Sequence, residues 1–508
     1  MEIDESLHYI IVIERHNLYV HNSSGGLIYT FNGNTSAFAD SHVVADPSGD
    51  KLYFLNRYAS PQVLTRLSNG SFTFAYATIT NMPTEWGGGS WPSTGCIFQG
   101  RMWLSGVYGS PGVVWGSTSG SYWDYNYGTG LDNEAIKFPM SEFGAVRWLY
   151  GMKNLLIGTE NGEHIGTSSD EILTPSNMRV ERQSSYGSNK VQPIQVGDQI
   201  FYVSADGRKV RAMQYEWQQN NWMSRDLTFA SEHLSDTGII DMTWAQNPSN
   251  LLICSLDNGK MITLTYERGE NIYGWHEHEF TSGNNSNFAY LNGTASAYQY
   301  GTSQIYLLVS RIDNPSPEIH LEKLDVEGDK YLDGWELANP SYDGSWWKTP
   351  ANHAHLDLAG TGDLVATVDG KPFHGSLSGY NGVITFGSHK QEDLFDGTEV
   401  IYVGWRYDST LKTLPLETSG GISAFMKKRF NKLFVRLLGS ALPKINGIRP
   451  PTINPATIMG EAHAEITGDV QVTNLGWDNY EQVEIVQDLP LSCKISGIFG
   501  ELNMENPK

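Results

Sequence analysis

Cysteine is scarce: Cys96, Cys254 and Cys493 are the only three in 508 residues. They are odd in number and far apart, and no CxxC pair occurs, which excludes a disulfide framework or a zinc knuckle. Cys254 stands in the apolar run LLIC, where the plain reading is a buried thiol behaving as a small hydrophobe. Long apolar runs are also missing. No window reaches the roughly 20 apolar residues that a membrane-crossing helix needs, so no membrane insertion is expected. The opening run MEIDESLHYIIVIERHN carries acidic residues where a signal peptide carries basic ones. Synthesis in a reducing cytoplasm fits both observations. Basic residues are the scarcer charge: 34 Lys and Arg face 56 Asp and Glu, a formal balance of −22. Such a surface repels phosphate and argues against tight nucleic-acid binding, although a polyanion can pass it without adhering. Helix-forming runs are few. Gly, Tyr, Trp, Ser, Thr and Asn are plentiful instead, which favours strands joined by tight turns. The chain reads as all-β.

Turn chemistry repeats along the first 300 residues. Asn-Gly, Asp-Gly and Gly-Gly adopt the positive φ that two-residue hairpins require, and they stand between apolar runs at Gly25-Gly26, Asn69-Gly70, Asn161-Gly162, Asp206-Gly207 and Asn258-Gly259. The spacing implies a period near 45 if one turn is missing near Trp115-Gly116, a length typical of propeller blades. Residues 1–310 are therefore expected to form a β-propeller-like domain of about six blade-like units. Leu227, Ala230 and Leu234 in SRDLTFASEHL share a helical face behind a serine cap, which predicts a short helix between blades. Beyond it, the expectation is a charged connector over 311–340 and a small β-sandwich or barrel module over 341–420. A C-terminal strand region over 421–508, with a Pro-rich loop at GIRPPTINPATIMG, would complete the propeller or a platform.

Chemistry-bearing residues are sparse in pattern. His276 and His278 alternate along SLDNGKMITLTYERGENIYGWHEHEF and share one face of a strand, but a zinc site needs at least a third ligand at a matching spacing. His353 and His355 repeat that spacing without a third partner. Asp325–Gly334, DVEGDKYLDG, resembles a calcium loop in composition but not in the order of its ligands. Asp206-Gly207-Arg208-Lys209 is a basic hairpin tip that reads as an ordinary solvated turn. No P-loop, nucleophile elbow or dinucleotide fingerprint is present. No catalytic, cofactor-binding or metal-binding residue is assigned, and no cofactor or enzymatic activity is expected.

Several blocks nevertheless occur in a telling order: FQGRMWLSG, VVWGSTSGSYWDYNYGTGLDNEAIKF, VRWLYGMKNLLIGTENGE, LTPSNMRVERQSSYGSNKVQPIQVGDQIFYVSADGRKVRAM, DLTFASEHL, the stretch ending IYGWHEHEF, IYLLVSRI, YLDG, YVGWRYDSTLKTLPLE and TGDVQVTNLGWDNYEQVEIVQDLPL. Collinear over about residues 97–500, they resemble the tail nozzle proteins (tail tubular protein B type) of short-tailed bacteriophages. That resemblance implies a structural virion protein made in the host cytoplasm and carried in the virion tail. It would be a propeller-bearing subunit of a homo-oligomeric ring, usually a hexamer. The ring would dock to a tail adaptor protein and to a tail fibre or spike protein, and would form and gate the distal channel through which phage DNA is ejected without tight binding. Nozzle chains usually carry a further segment before the first YIIVI-like strand, and this chain starts almost at that strand, which leaves the closure of the propeller open. The Gly-rich TEWGGGSWPSTG, Thr84–Gly95, is the candidate gating loop. A carbohydrate-binding or carbohydrate-cleaving propeller is the alternative, with the 15 tryptophans lining a sugar groove; a protein-docking hub is a third.

Overall fold

The computed structural model describes the chain outside residues 5–6, 15, 34–40, 141–143, 170–171, 281–288, 314–315, 327, 329, 343–346, 351–355, 357–363, 374–376, 381–382, 388–394, 396–397, 416–425, 451–464, 474–475, 478–481 and 506–508. Two compact units divide it. The first takes Met1–His278, Tyr290–Val309 and Leu321–Asp325; the second takes Glu279–Ala289, Ser310–His320 and Val326–Lys508.

Six four-stranded antiparallel sheets follow one another in the first unit, each in simple up-and-down order. Blade I comprises Glu2–Asp4, Leu7–Ile13, Asn17–Asn22 and Leu27–Asn32; blade II comprises His42–Ala45, Lys51–Asn56, Ala59–Arg66 and Phe72–Tyr76. Blade III comprises Thr94–Phe98, Arg101–Ser105, Val113–Gly116 and Ile136–Pro139; blade IV comprises Val146–Gly151, Leu155–Thr159, Gly162–Thr167 and Arg179–Ser184. Blade V comprises Ile194–Val196, Gln199–Val203, Val210–Glu216 and Asn221–Asp226; blade VI comprises Ile239–Ala245, Leu251–Leu256, Met261–Glu267 and Ile272–His278. A seventh, three-stranded sheet follows, with Tyr290–Gln299, Thr302–Asp313 and Ser316–Leu324. About six units were expected within 1–310. Among the described residues there are six full blades and this seventh sheet, which runs past that boundary.

The sheets stack through alternate apolar side chains. Leu18, Phe54 and Phe72 fill the space between blades I and II; Leu55, Leu104 and Trp115 fill that between II and III. Trp103, Leu149 and Leu155 join III to IV, and Trp148, Tyr202 and Met213 join IV to V. Phe201, Leu252 and Leu264 join V to VI. Tryptophan fits here because its cross-strand neighbour is glycine. Trp103 lies opposite Gly116 and Trp148 opposite Gly158, and a Cβ at Gly116 would meet the Trp103 ring at 2.9 Å. The first strands touch between blades II and III, III and IV, V and VI, and VI and the seventh sheet, whereas the fourth strands of blades I and VI are largely exposed. First strands are therefore innermost. Blade VI meets the seventh sheet where the Thr294 amide donates to Asp241 at 2.9 Å and Thr243 Oγ1 donates to Ser296 Oγ at 2.9 Å. The seventh sheet meets blade I where His8 Nε2 lies 2.7 Å from the Tyr306 hydroxyl. The ring closes on itself, and the unit is a β-propeller.

Two local expectations differ. Trp115-Gly116 is no turn: it ends a buried strand of blade III, whose second turn lies at 106–112. The helix expected in 224–234 is absent. Asn221–Asp226 pairs with Val210–Glu216, the Asp226 carboxylate then accepts the Thr228 amide and hydroxyl, and only the 3-10 turn Glu232–Leu234 remains. Ladder pairing outweighed the helical spacing. Trp275–His278 belongs to the outer strand of the blade that holds Asn258-Gly259.

In the second unit, the span expected as a charged connector holds strand Asp333–Ala338. It joins Ile401–Trp405, Leu364–Val368 and Lys371–Pro372 in one sheet. A second sheet of Ser341–Tyr342, Trp347–Lys348, Val383–Phe386 and Leu377–Tyr380 shares its core, through Leu364, Ile384, Phe386 and Trp405. This is a small β-sandwich. A further pair of sheets follows: Ser409–Lys412, Glu484–Gln487 and Lys444–Ile445 form one, and Ile466–Val472, Lys427–Ser440 and Ile495–Glu505 form the other. Leu433, Val435, Ile445 and Ile485 lie between them. These C-terminal strands belong to the second unit, and the propeller closes without them. The Pro-rich loop falls largely outside the described residues.

Candidate functional site

The first strand of blade I is short and irregular, with Glu2 opposite His8 and Asp4 opposite Leu7. Where it stops, a cavity of about 230 Å³ opens at the seam of the ring. Ile11, Val43, Leu52 and Phe54 wall it towards blade II, and Ile10, Ala295 and Ala297 towards the seventh sheet. Its polar part is the pair His8 and Tyr306, both buried. Ser296, also at the wall, is committed elsewhere, donating to the Trp244 carbonyl at 2.6 Å. The site has shape and apolar surface, but among the described residues that line it there is no nucleophile beside a base and no pair of carboxylates.

Other buried polar groups serve the frame. Arg101 is 3% exposed and donates to the carbonyls of Ser117, Asp132 (2.8 Å) and Glu134, pinning the long 117–135 loop. The Glu134 carboxylate accepts the amides of Thr129 and Gly130 in the same loop, and these bonds, led by the Thr129 hydroxyl, hold its pKa below the ordinary value. Burial pulls His42 down to about 3, and its Nδ1 accepts the Gly95 amide at 3.1 Å between the inner strands of blades II and III. Asp241 is pushed up to about 6 by burial, against the amides of Met242 and Thr294 that stabilise its charge.

The residues singled out from the sequence do not converge on one centre. His276 and His278 stand edge to face with ring centroids 4.6 Å apart on the outer strand of blade VI; burial and the neighbouring His276 take His278 down to about 4. Among the described residues, no group of three or more His, Cys, Asp or Glu is arranged to hold a metal ion. His353 and His355 lie outside the described residues, as do Glu327 and Asp329 of the calcium-like run. Asp333 of that run is paired with Arg311 at 2.8 Å. In the basic tip at 206–209, Lys209 is paired, its Nζ reaching Glu232 at 2.6 Å and Asp226 at 3.7 Å. Cys96 and Cys254 are buried thiols with pKa raised by burial.

The candidate gating loop is anchored at several points. Trp86 is 4% exposed and packs on Trp115 and Tyr125, Trp91 leans on the same cluster, and the Trp91 amide donates to Arg57 at 3.0 Å. Its three glycines serve a tight Gly87–Ser90 turn, closed by reciprocal backbone bonds of 2.9 and 3.0 Å. The seam cavity and the Arg101 and Asp241 contacts had no sequence signal, because each depends on partners brought together by ring closure or by a long loop.

No protein-family model matches the chain, and no curated protein matches it. Among solved structures it is similar to Raptor of Chaetomium thermophilum (8% identity, TM-score 0.39), covering 61% of this chain and 26% of that one. The chain thus spans about a quarter of that protein's length. It is also similar to BamB of Moraxella catarrhalis (12% identity, TM-score 0.31, 78% of this chain and 98% of that one). A third is the β-propeller domain of Cps50 (Swd1) of Myceliophteria thermophila (7% identity, TM-score 0.41, 64% and 98%). At these values the likenesses carry no functional argument; the propeller class rests on this chain's own sheet order and ring closure.

Proposed function

We propose that the chain is a tail nozzle subunit of a short-tailed bacteriophage, a structural virion protein with no enzymatic role. The observation that carries this reading is the collinear series of sequence blocks across about residues 97–500. In the nozzle, the propeller and its sandwiches form the wall of a homo-oligomeric ring, and function is mechanical. The ring docks to an adaptor above and to fibres or spikes outside, and duplex DNA passes through its bore. The −22 balance supports passage without adhesion, because an acidic wall repels the phosphate backbone. Thr84–Gly95 is the candidate gating loop of this reading, anchored at Trp86 and turning at Gly87–Ser90.

Electron microscopy of the purified chain, alone and mixed with a tail adaptor ring, tests this. A closed ring whose bore admits duplex DNA is expected. A monomer under every condition, together with binding or cleavage in a mixed-glycan screen, would replace the reading with a carbohydrate-directed propeller.

A further inference from the structure

One exposed arginine stands apart on blades II and III. Arg57 and Tyr58 are the two residues of the tight turn between Lys51–Asn56 and Ala59–Arg66, closed where Asn56 pairs with Ala59. The buried Asn56 side chain accepts the Tyr58 amide at 2.9 Å and fixes the turn from below. Arg57 Nη2 donates to the Tyr58 hydroxyl, which holds the guanidinium over that ring, 4.4 Å from its centre. Tyr108, from the turn at 106–112, brings its own ring centre to 5.9 Å from the same guanidinium. The Gly-rich loop ties the two turns together: the Trp91 amide donates to the Arg57 carbonyl at 3.0 Å, and the Gly109 amide donates to Ser90 Oγ at 3.3 Å. Packing does not account for the cluster. Tyr58 is 53% exposed and Tyr108 75%, and nothing lies within 4 Å of a Cβ built at Gly88, Gly89 or Gly109, so the ground beside the rings is open. Arg147, Arg268, Arg406 and Arg436, exposed like Arg57, each meet an aspartate or a glutamate. Among the described residues of this acidic chain, no carboxylate pairs with Arg57, whose contacts are the two tyrosines.

We propose that Arg57, Tyr58 and Tyr108 form a binding site for a glycan that ends in a single carboxylated pyranose. The guanidinium, already oriented by Tyr58, offers paired N–H donors to the sugar carboxylate. The exposed Tyr108 ring takes the apolar C–H face of the same sugar, and the open glycine turn leaves room for the next one. One unpaired cation selects one charge. A nucleic acid would bring a row of phosphates against a balance of −22, so it is the poorer fit. This assignment is independent of the nozzle reading, since ring assembly neither requires the site nor forbids it.

The probe is cellobiouronic acid, a glucuronic acid joined to glucose, titrated calorimetrically into the full chain beside cellobiose and inorganic phosphate. The acidic disaccharide is expected to bind about tenfold or more tightly than cellobiose, the difference a charge-assisted pair makes. Phosphate, which has no face for the rings, is expected not to bind at the same concentrations. Arg57→Ala is expected to remove the preference for the acidic sugar, and Arg57→Lys to restore only part of it, because an ammonium lacks the paired donors. Tyr108→Ala is expected to weaken both sugars together. Both side chains project from surface turns, so thermal melts of the variants should match the parent, and the comparison of the three ligands on the parent chain stands without them. Equal binding of cellobiose, phosphate binding as tight as the sugar acid, no binding at millimolar sugar, or unchanged binding in Arg57→Ala or Tyr108→Ala would overturn the proposal. None of these results bears on whether the chain assembles into a ring.

Discussion

Asp241 couples the propeller to pH. Its carboxyl sits at about 6 in the folded chain against an ordinary 3.8, because burial disfavours the charge more than the Met242 and Thr294 amides restore it. A raised acid contributes stability that is complete below pH 3.8 and is lost as pH rises through about 6. The loss is at most about 3 kcal/mol by the pKa difference. His42, held near 3, acts in the opposite direction, losing stability as pH falls below its ordinary 6.5. Only the difference between variant and parent isolates Asp241. Thermal melts of Asp241→Asn from pH 4 to pH 8 should show the variant gaining on the parent as pH rises; parallel curves would remove the group from the account. Arg101 offers a second test. Truncating it leaves the carbonyls of Ser117, Asp132 and Glu134 without their donor, and Arg101→Ala should cost roughly 3 kcal/mol or more in denaturant unfolding. Protease should then cut within 117–135 first.

Turns and strands set the next scale. Gly25 and Gly259 both hold positive φ, +86° and +82°, yet their surroundings differ. Nothing lies within 4 Å of a Cβ at Gly25, so Gly25→Ala should cost only the left-handed strain of about 1–2 kcal/mol. A Cβ at Gly259 would run into the Tyr290 ring of the seventh sheet, so Gly259→Ala should cost clearly more. Equal effects in urea titrations would contradict the packing of blade VI on that sheet. Trp86→Ala should destabilise the chain by about 3–5 kcal/mol, the cost of a large buried aromatic; a surface loop free to move would show almost none.

The turns themselves were legible, because Asn-Gly and Asp-Gly carry a backbone requirement in their identity. Their phase was not. Gly25-Gly26 and Asn69-Gly70 join the third and fourth strands of their blades, whereas Asn161-Gly162, Asp206-Gly207 and Asn258-Gly259 join the second and third. The regular spacing thus mixed two kinds of turn, and the turn at 106–112, GVYGSPG, escaped because it lacks the two-residue signature. Blade starts at Glu2, His42, Thr94, Val146, Ile194, Ile239 and Tyr290 set the actual repeat, 40 to 52 residues long. The seam could not be read at all: His8 and Tyr306 are 298 residues apart, and nothing local to either announces the other.

For the whole molecule, seven sheets close a ring through buried side chains, and two small sandwiches make up much of the second unit. On the proposed nozzle reading, the ring serves as a wall and needs no catalytic residues, and its acidic balance suits the passage of DNA. That reading expects substitutions to change stability and docking rather than turnover. The most direct measurement is cryo-electron microscopy of the short-tailed particle proposed to carry this chain. The account predicts density for the seven-sheet propeller repeated around the distal bore of the tail, below the adaptor ring. Particles whose distal bore is built from other chains, with this one absent from the tail, would contradict it.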